Sequence, residues 1–233
     1  MSTLHKPIAR FIAACAVICC AALSHALPAM ARGEMPGRFD HYVLSLSWSP
    51  TYCASDQRNH ERDALQCNSE RPYAFVVHGL WPQYDQGYPE FCSTRDRWVP
   101  NRVIDSMIDI MPSKGLIIHE WRRHGSCSGL SQSDYFGLVR SLYSGLAIPY
   151  RYRAPDRDIL TSPAELKADF LEANPQLDES MLHIYCGSRN NRARLSEVRI
   201  CFNKQGKPTA CGNSDHRRQC RAKTLVVPAV RSR

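Results

Sequence analysis

Apolar and polar residues alternate along His41-Tyr-Val-Leu-Ser-Leu-Ser-Trp48. The alternation puts Tyr42, Leu44, Leu46 and Trp48 on one face of a half-buried strand that Ser49-Pro50 ends. Residues 32–38 read as a loose leader to it, and the polar stretch 54–71 as a loop or irregular turn. Pro72-Tyr-Ala-Phe-Val-Val-His78-Gly-Leu-Trp81-Pro82 predicts a short, fully apolar strand that runs into a Gly- and Pro-marked turn, with His78 at its end. Helical spacing follows over 98–111, through Val99, Val103, Ile104, Met107, Ile108 and Met111, and Pro112 stops it. A second helix, about 133–147, starts near Ser133-Asp134 and carries Tyr135, Leu138, Val139, Leu142 and Leu146 on one side. Ser162-Pro163-Ala164-Glu165 is a helix start with a capping pair, and Asn174-Pro175 ends that helix. Met181 to Cys186 and Leu195 to Phe202 read as strands, the second alternating Val198, Ile200 and Phe202 with charge. Lys204 to Ala210 predicts a hairpin turn before a last short strand at Leu225 to Val227. The fold class is α+β: a central, mostly antiparallel sheet with helices packed on it, in one domain.

One stretch does not read as scaffold alone. Gly115-Leu-Ile-Ile-His119-Glu120-Trp121-Arg122-Arg123-His124-Gly125-Ser-Cys127 holds two imidazoles, a carboxylate and two guanidiniums within six residues. No Pro or Gly interrupts 116–124, and Gly125 suits the left-handed residue that stops a helix. At about 100° per residue, His119, Arg123, Glu120 and His124 share a sector of roughly 140°. Ile117, Trp121 and Ile118 form the apolar stripe beside it, while Leu116 fits neither. A solvated charged face is the bland alternative, and two histidines with a carboxylate against an apolar stripe make it the weaker one. His-Glu-x-x-His on a helix would be a zinc motif. Here the second His follows five residues after the first, so the rings diverge, and no metal is expected.

The chain of 233 residues is long enough for one substantial core. Residues 1–31 read as an export signal: Lys6 and Arg10 precede the apolar run Phe11 to Leu23, and small-residue sites allow cleavage after Ala26 or Ala31. Residues 32–233 then form the mature domain, secreted or periplasmic, with no membrane attachment after cleavage. Removing two basic residues lowers 30 Lys and Arg to 28 against 22 Asp and Glu, so the net charge falls from +8 to +6. A basic exported protein suits an anionic partner, though many are basic for solubility alone. Eight cysteines remain: Cys53, Cys67, Cys92, Cys127, Cys186, Cys201, Cys211 and Cys220. That argues for four disulfides in an oxidising compartment, with 105 pairings left open by spacing.

If the fold brings His78 to the 119–124 helix, the site holds three histidines, a carboxylate and a guanidinium. Two imidazoles can serve as base and acid in one turnover. That is what metal-free cleavage of a phosphodiester needs, with a ribose 2′-hydroxyl as nucleophile and a guanidinium on the phosphoryl oxygens. Such a site requires RNA, because DNA lacks the nucleophile.

Phe75-Val-Val-His78-Gly-Leu-Trp81-Pro82 and His119-Glu120-Trp121-Arg122-Arg123-His124-Gly125-Ser-Cys127 resemble the two active-site segments of the ribonuclease T2 family. Trp48-Ser-Pro-x-x-Cys53 resembles a third family element. The resemblance runs from about residue 39 to 220. It implies a metal-independent, cofactor-free endoribonuclease of low base specificity, a monomer acting on single-stranded RNA to give 2′,3′-cyclic phosphates and then 3′-phosphates. It further implies His124 as general base, His78 as general acid, His119 as phosphate holder, and Glu120 with Arg123 as stabilisers of the transition state. The family usually has Lys where this chain has Arg123. Trp81 matches the aromatic that stacks on the base 5′ to the cut, and Gln83 and Tyr88 join it in substrate binding. Trp81 also has a plain core reading, as does Trp48, and His41, His60, His183 and His216 are taken as surface or structural. The resemblance implies the pairs Cys53–Cys67, Cys92–Cys127, Cys186–Cys220 and Cys201–Cys211. Two other functions compete: a metal-dependent hydrolase using His119, Glu120 and His78, and an inert module whose basic surface holds RNA.

Overall fold

The structure is a computed structural model and describes residues 35–56, 58–68, 70–213 and 218–231. The signal expected over 1–31 lies outside them, as do His216 and the side chain of His60. Strand β1 (His41–Trp48) pairs antiparallel with β2 (Phe75–Gln83) on one side. On the other side it pairs with residues 197–202 of β5 (Arg192–Phe202). The long β5 carries β4 (Leu182–Arg189) antiparallel on its opposite edge. Near its start β5 meets β6 (Leu225–Val227) in a short parallel contact, and β6 in turn pairs antiparallel with β3 (Ile159–Thr161). The expected α+β class and mostly antiparallel sheet are therefore found.

Sandwiched between β2 and β5, β1 is buried on both faces rather than one, with only Ser47 partly exposed. Its Tyr42, Leu44, Leu46 and Trp48 side faces the main core. There it meets Tyr135, Phe136 and Val139 of α6 (Gln132–Ser144) and Leu166 and Phe170 of α7 (Pro163–Ala173). Burying each such side chain contributes about 1.5–3 kcal/mol. Trp48 is core, as one reading held, and its indole N–H donates to the Pro228 carbonyl at 3.0 Å.

Several boundaries move. Ser49-Pro50 does not end β1 in a loop: Pro50 sits in the first turn of α1 (Ser49–Ser55), where its missing N–H costs nothing. The stretch read as loop holds two more short helices, α2 (Arg58–Arg62) and α3 (Ala64–Cys67). The helix expected over 98–111 covers only α4 (Asn101–Asp105) and continues as turns. Val99, Val103, Ile104, Met107 and Met111 are all buried, so the apolar spacing is met by turns that cap the edge strand, Val77 N–H donating to Ile110 O at 2.8 Å. Helix α6 starts one residue before the expected 133, with Ser131 as its cap, and ends at Ser144 rather than 147. The Ser162–Glu165 capping box forms as expected. The β4–β5 hairpin turns through Asn190 and Asn191, both in the left-handed region that Asn tolerates. All four implied disulfides are present. Among the described residues no helix is long and apolar enough to cross a membrane.

Candidate active site

The groove is built on the face of the sheet opposite the core. His78 lies within β2, not at its end as expected, and sits at a bulge: Leu46 pairs with Val77 while Ser45 pairs with Gly79. The extra residue reverses the alternation of the strand. In a regular strand, residues three apart point to opposite faces. Across the bulge His78 and Trp81 share one, with ring centroids 5.2 Å apart. Gly79 follows because a Cβ there would lie 2.0 Å from Oε2 of Glu120.

Glu120 and His119 come from α5 (Lys114–Arg123), capped by Ser113. The helix ends at Arg123, and Gly125 does not adopt the left-handed conformation expected of it. It lies in a 3₁₀ turn, Gly125–Cys127, where a Cβ would sit 2.6 Å from Trp121 and 2.8 Å from Tyr135. Close packing, not backbone sign, is what glycine supplies at that position. The Cys92–Cys127 bond fastens this end to the loop after β2. Ile117 and Trp121 are buried, and Ile118 and Leu116 are partly buried.

His78, Trp81, Gln83, Tyr88, His119, Glu120, Arg123 and His124 all line one groove of about 510 Å³. Every site residue singled out in the sequence is therefore brought to one place. Trp81 is in the site rather than the core: its indole N–H donates to Glu120 Oε2 at 2.8 Å, and its ring lies 5.6 Å from that of His124. The Tyr88 ring lies 6.1 Å from that of His124. Gln83 is buried, whereas Tyr88 is exposed. Arg123 binds Glu90 at 2.9 Å and lies over the Phe91 ring, so its charge is shared with a carboxylate. Arg123 Nε and His124 Nδ1 are buried and have no hydrogen-bond partner among the described residues. His41 and His183 are buried in strands rather than on the surface.

Side chains in or beside the groove that were not singled out from the sequence are Tyr185, Arg199 and Arg218, which line it, and Glu197, which stands against His78. Glu197 and Arg199 of β5 and Tyr185 of β4 are adjacent on the same sheet face. Glu197 Oε1 lies 2.6 Å from His78 Nδ1, and Glu197 Oε2 accepts from Arg199 Nε and Nη2 at 2.8 and 2.6 Å. The Arg199 guanidinium lies 3.9 Å from the centre of the Tyr185 ring and 4.7 Å from that of Trp81. The signal available was the charge alternating with Val198, Ile200 and Phe202 in a strand that had to be central.

These contacts set the charges. Burial alone would depress His78, but the Glu197 hydrogen bond and charge, with Glu120 beyond, outweigh it and leave His78 raised. Burial would raise Glu197, yet His78 and Arg199 hold it at about 2. His124 is pushed down to about 3, first by burial and then by the charges of Arg123, His119 and His78. His119 is lowered for the same reasons, burial first. Burial lifts Glu120 to about 7 against the pull of His78 and Trp81. The groove thus holds one imidazole favouring its proton and one favouring its lone pair. That is the arrangement for moving protons in opposite directions across one bound group.

A sequence model described as the Ribonuclease T2 family matches residues 39–211. A ribonuclease of Aeromonas hydrophila is 39% identical over 176 residues, covering 76% of this chain and 77% of its own. Among solved structures, the self-incompatibility associated SF11-RNase of Nicotiana alata superposes with a TM-score of 0.62 at 20% identity, covering 83% of this chain and all of its own. RNase NT in complex with 5′-AMP superposes at 0.59 and 22%, covering 82% and 98%. With the fold in agreement with these matches, the chain belongs to the ribonuclease T2 family and is a T2-type endoribonuclease.

Proposed function

We propose that this endoribonuclease cleaves single-stranded RNA without a metal, by attack of the ribose 2′-hydroxyl on the adjacent phosphorus. His124, held neutral by its surroundings, takes the 2′-hydroxyl proton. The 2′-oxygen bonds to phosphorus, the bond to the 5′-oxygen breaks, and that oxygen leaves with the proton of His78. A 2′,3′-cyclic phosphate results, and water then opens it to a 3′-phosphate with the two histidines in exchanged roles. His119 holds the phosphate, while Glu120 and Arg123 stabilise the five-coordinate phosphorus. Glu197 takes up Nδ1 of His78 and so leaves Nε2 as the nitrogen that gives up the proton.

The observation that carries this reading is the opposite electrostatic setting of His78 and His124 in one groove. A nucleotide-bound relative, RNase NT with 5′-AMP, supports nucleotide binding on this fold. Stacking on Trp81 and Tyr88 tolerates any base, which supports low base specificity. His78 and His119 also line a second cavity with Gln66, Ser113 and Leu116, which suits the departing nucleoside. The proposal includes a monomer, as the family resemblance implies. Four disulfides fit the export expected from residues 1–31. The test is product analysis on a defined dinucleotide series with EDTA present. Cyclic phosphates should appear with every base. Loss of cleavage on chelation would favour the metal-dependent hydrolase instead, and RNA left intact with and without chelator would favour an inert binder.

A further inference from the structure

Exposed aromatic side chains are ordinary when scattered, and here they are not scattered. Among the described residues the exposed large aromatics are Tyr88, Phe91, Trp98 and Tyr150, and three of these four fall in one eleven-residue segment beside the groove. Trp98 is 69% exposed and Phe91 61%, which is unusual for rings of that size.

The segment is pinned through its backbone. Phe91 N–H donates to Arg123 O at 2.9 Å, Trp121 and Gln132 donate to Asp96 O, Gln132 also to Trp98 O, and Arg122 Nε to Arg97 O. With its carbonyls taken up by α5 and α6, the loop leaves Phe91, Arg95, Arg97 and Trp98 outside. The local charge is four guanidiniums, Arg95, Arg97, Arg122 and Arg123, against Glu90 and Asp96, and Glu90 is tied to Arg123. Rings on either side of paired guanidiniums along a rigid loop form a surface on which bases stack and phosphates pair. It is continuous with the groove, because Arg123 lies within 3.4 Å of the Tyr88 hydroxyl and over the Phe91 ring.

We propose that residues 88–98 with Arg122 form a track for single-stranded RNA that holds nucleotides 5′ to the cleaved link. The direction rests on the proposed function, in which Trp81 and Tyr88 take the base on the 5′ side and the leaving nucleoside lies beyond His78, in the opposite cavity.

The test uses the full mature protein and 2′-O-methyl oligonucleotides that contain a single ribonucleotide, so each has one cleavable link. A dinucleotide is compared with chains extended by several residues on the 5′ side or on the 3′ side. The 5′ extension should raise kcat/KM about tenfold at low salt, and Trp98→Ala and the double variant Arg95→Ala/Arg97→Ala should each remove about fivefold of that gain. Both variants should cleave the dinucleotide and the 3′-extended chain within about twofold of wild type. No gain from the 5′ extension, a gain that survives both variants, or an equal loss on all three substrates overturns the track. Should wild type fail to cleave the dinucleotide, the proposed chemistry fails. Titration with a fully 2′-O-methylated oligonucleotide then decides the track separately, since affinity must drop about fivefold in Trp98→Ala.

Discussion

His78 Nδ1 lies 2.6 Å from Glu197 Oε1, although 119 residues separate them and β1 runs between their strands. Glu197 pairs with Ser47 of β1, and Ser47 Oγ donates to the same carboxylate oxygen at 3.3 Å. The bulge in β2 completes the row by placing His78 over it. The groups that face His78 are Glu197 and Arg199 from β5 and Glu120, His119 and His124 from α5 and its end.

Replacing Glu197 by Gln removes the charge that offsets burial and Arg199, so the pKa of His78 should fall. Since the acid must be protonated, the alkaline limb of kcat should move to lower pH, and the rate at pH 7 should drop about tenfold with little change in KM. An unaltered pH profile would count against Glu197 as a positioning residue.

His124→Ala should cost about 10²–10⁴ in kcat, and His78→Ala a similar factor, with substrate affinity largely kept. Because His124 stays neutral down to about pH 3, the wild-type rate should persist well below pH 6 and fail only near that value. Single-turnover rates across pH check both points.

Glu120→Gln should gain stability relative to wild type as the pH rises. The folded pKa of Glu120 is about 7, above its ordinary 4.5, so wild type keeps its full stability below 4.5 and loses some between 4.5 and 7, where the carboxyl ionises in the unfolded chain while the buried one keeps its proton. Gln has no proton to lose and can still accept from Trp81. Denaturant melts at pH 5 and pH 8 should show the variant gaining about 2 kcal/mol on wild type between them. An equal difference at both values would contradict the buried, proton-holding state of Glu120.

Gly79→Ala should disturb stability and activity together, because the new methyl would meet Glu120 and, at 2.5 Å, the Trp81 indole nitrogen. A loss of about 1–3 kcal/mol is expected. Thermal melts and dinucleotide kinetics read the two effects, and full activity at wild-type stability would refute the packing.

Removing the Cys92–Cys127 bridge by double Ser substitution opens a 35-residue loop, which costs about 4 kcal/mol on the chain-entropy view. It also frees the end of α5 from the loop that carries Tyr88 and Glu90. Activity should fall even where the variant remains folded, and near-UV circular dichroism alongside kinetics separates the two.

The sequence by itself determined the faces of the strongly periodic elements and, at Ser162, the start of one helix. The Ser162–Glu165 capping box, the inward row Tyr42 to Trp48 and the sector holding His119, Glu120, Arg123 and His124 follow from local spacing, and each is present. The resemblance of two segments supplied the family and the pairing of the cysteines, which spacing left open. Local pattern misled where apolar residues were met by turns, as over 98–111, and where proline opened a helix rather than closing a strand, as at Pro50.

Only the tertiary structure decided that β1 is covered on both faces, that a bulge turns His78 and Trp81 to one side, and that Glu197, Arg199 and Tyr185 stand beside them. The physical reason is that strand pairing is non-local. Hydrogen-bond register joins residues more than a hundred positions apart, and one inserted residue reverses which face a side chain takes. The charges on His78 and His124 belong to that level too, since burial and opposing groups from other elements set them.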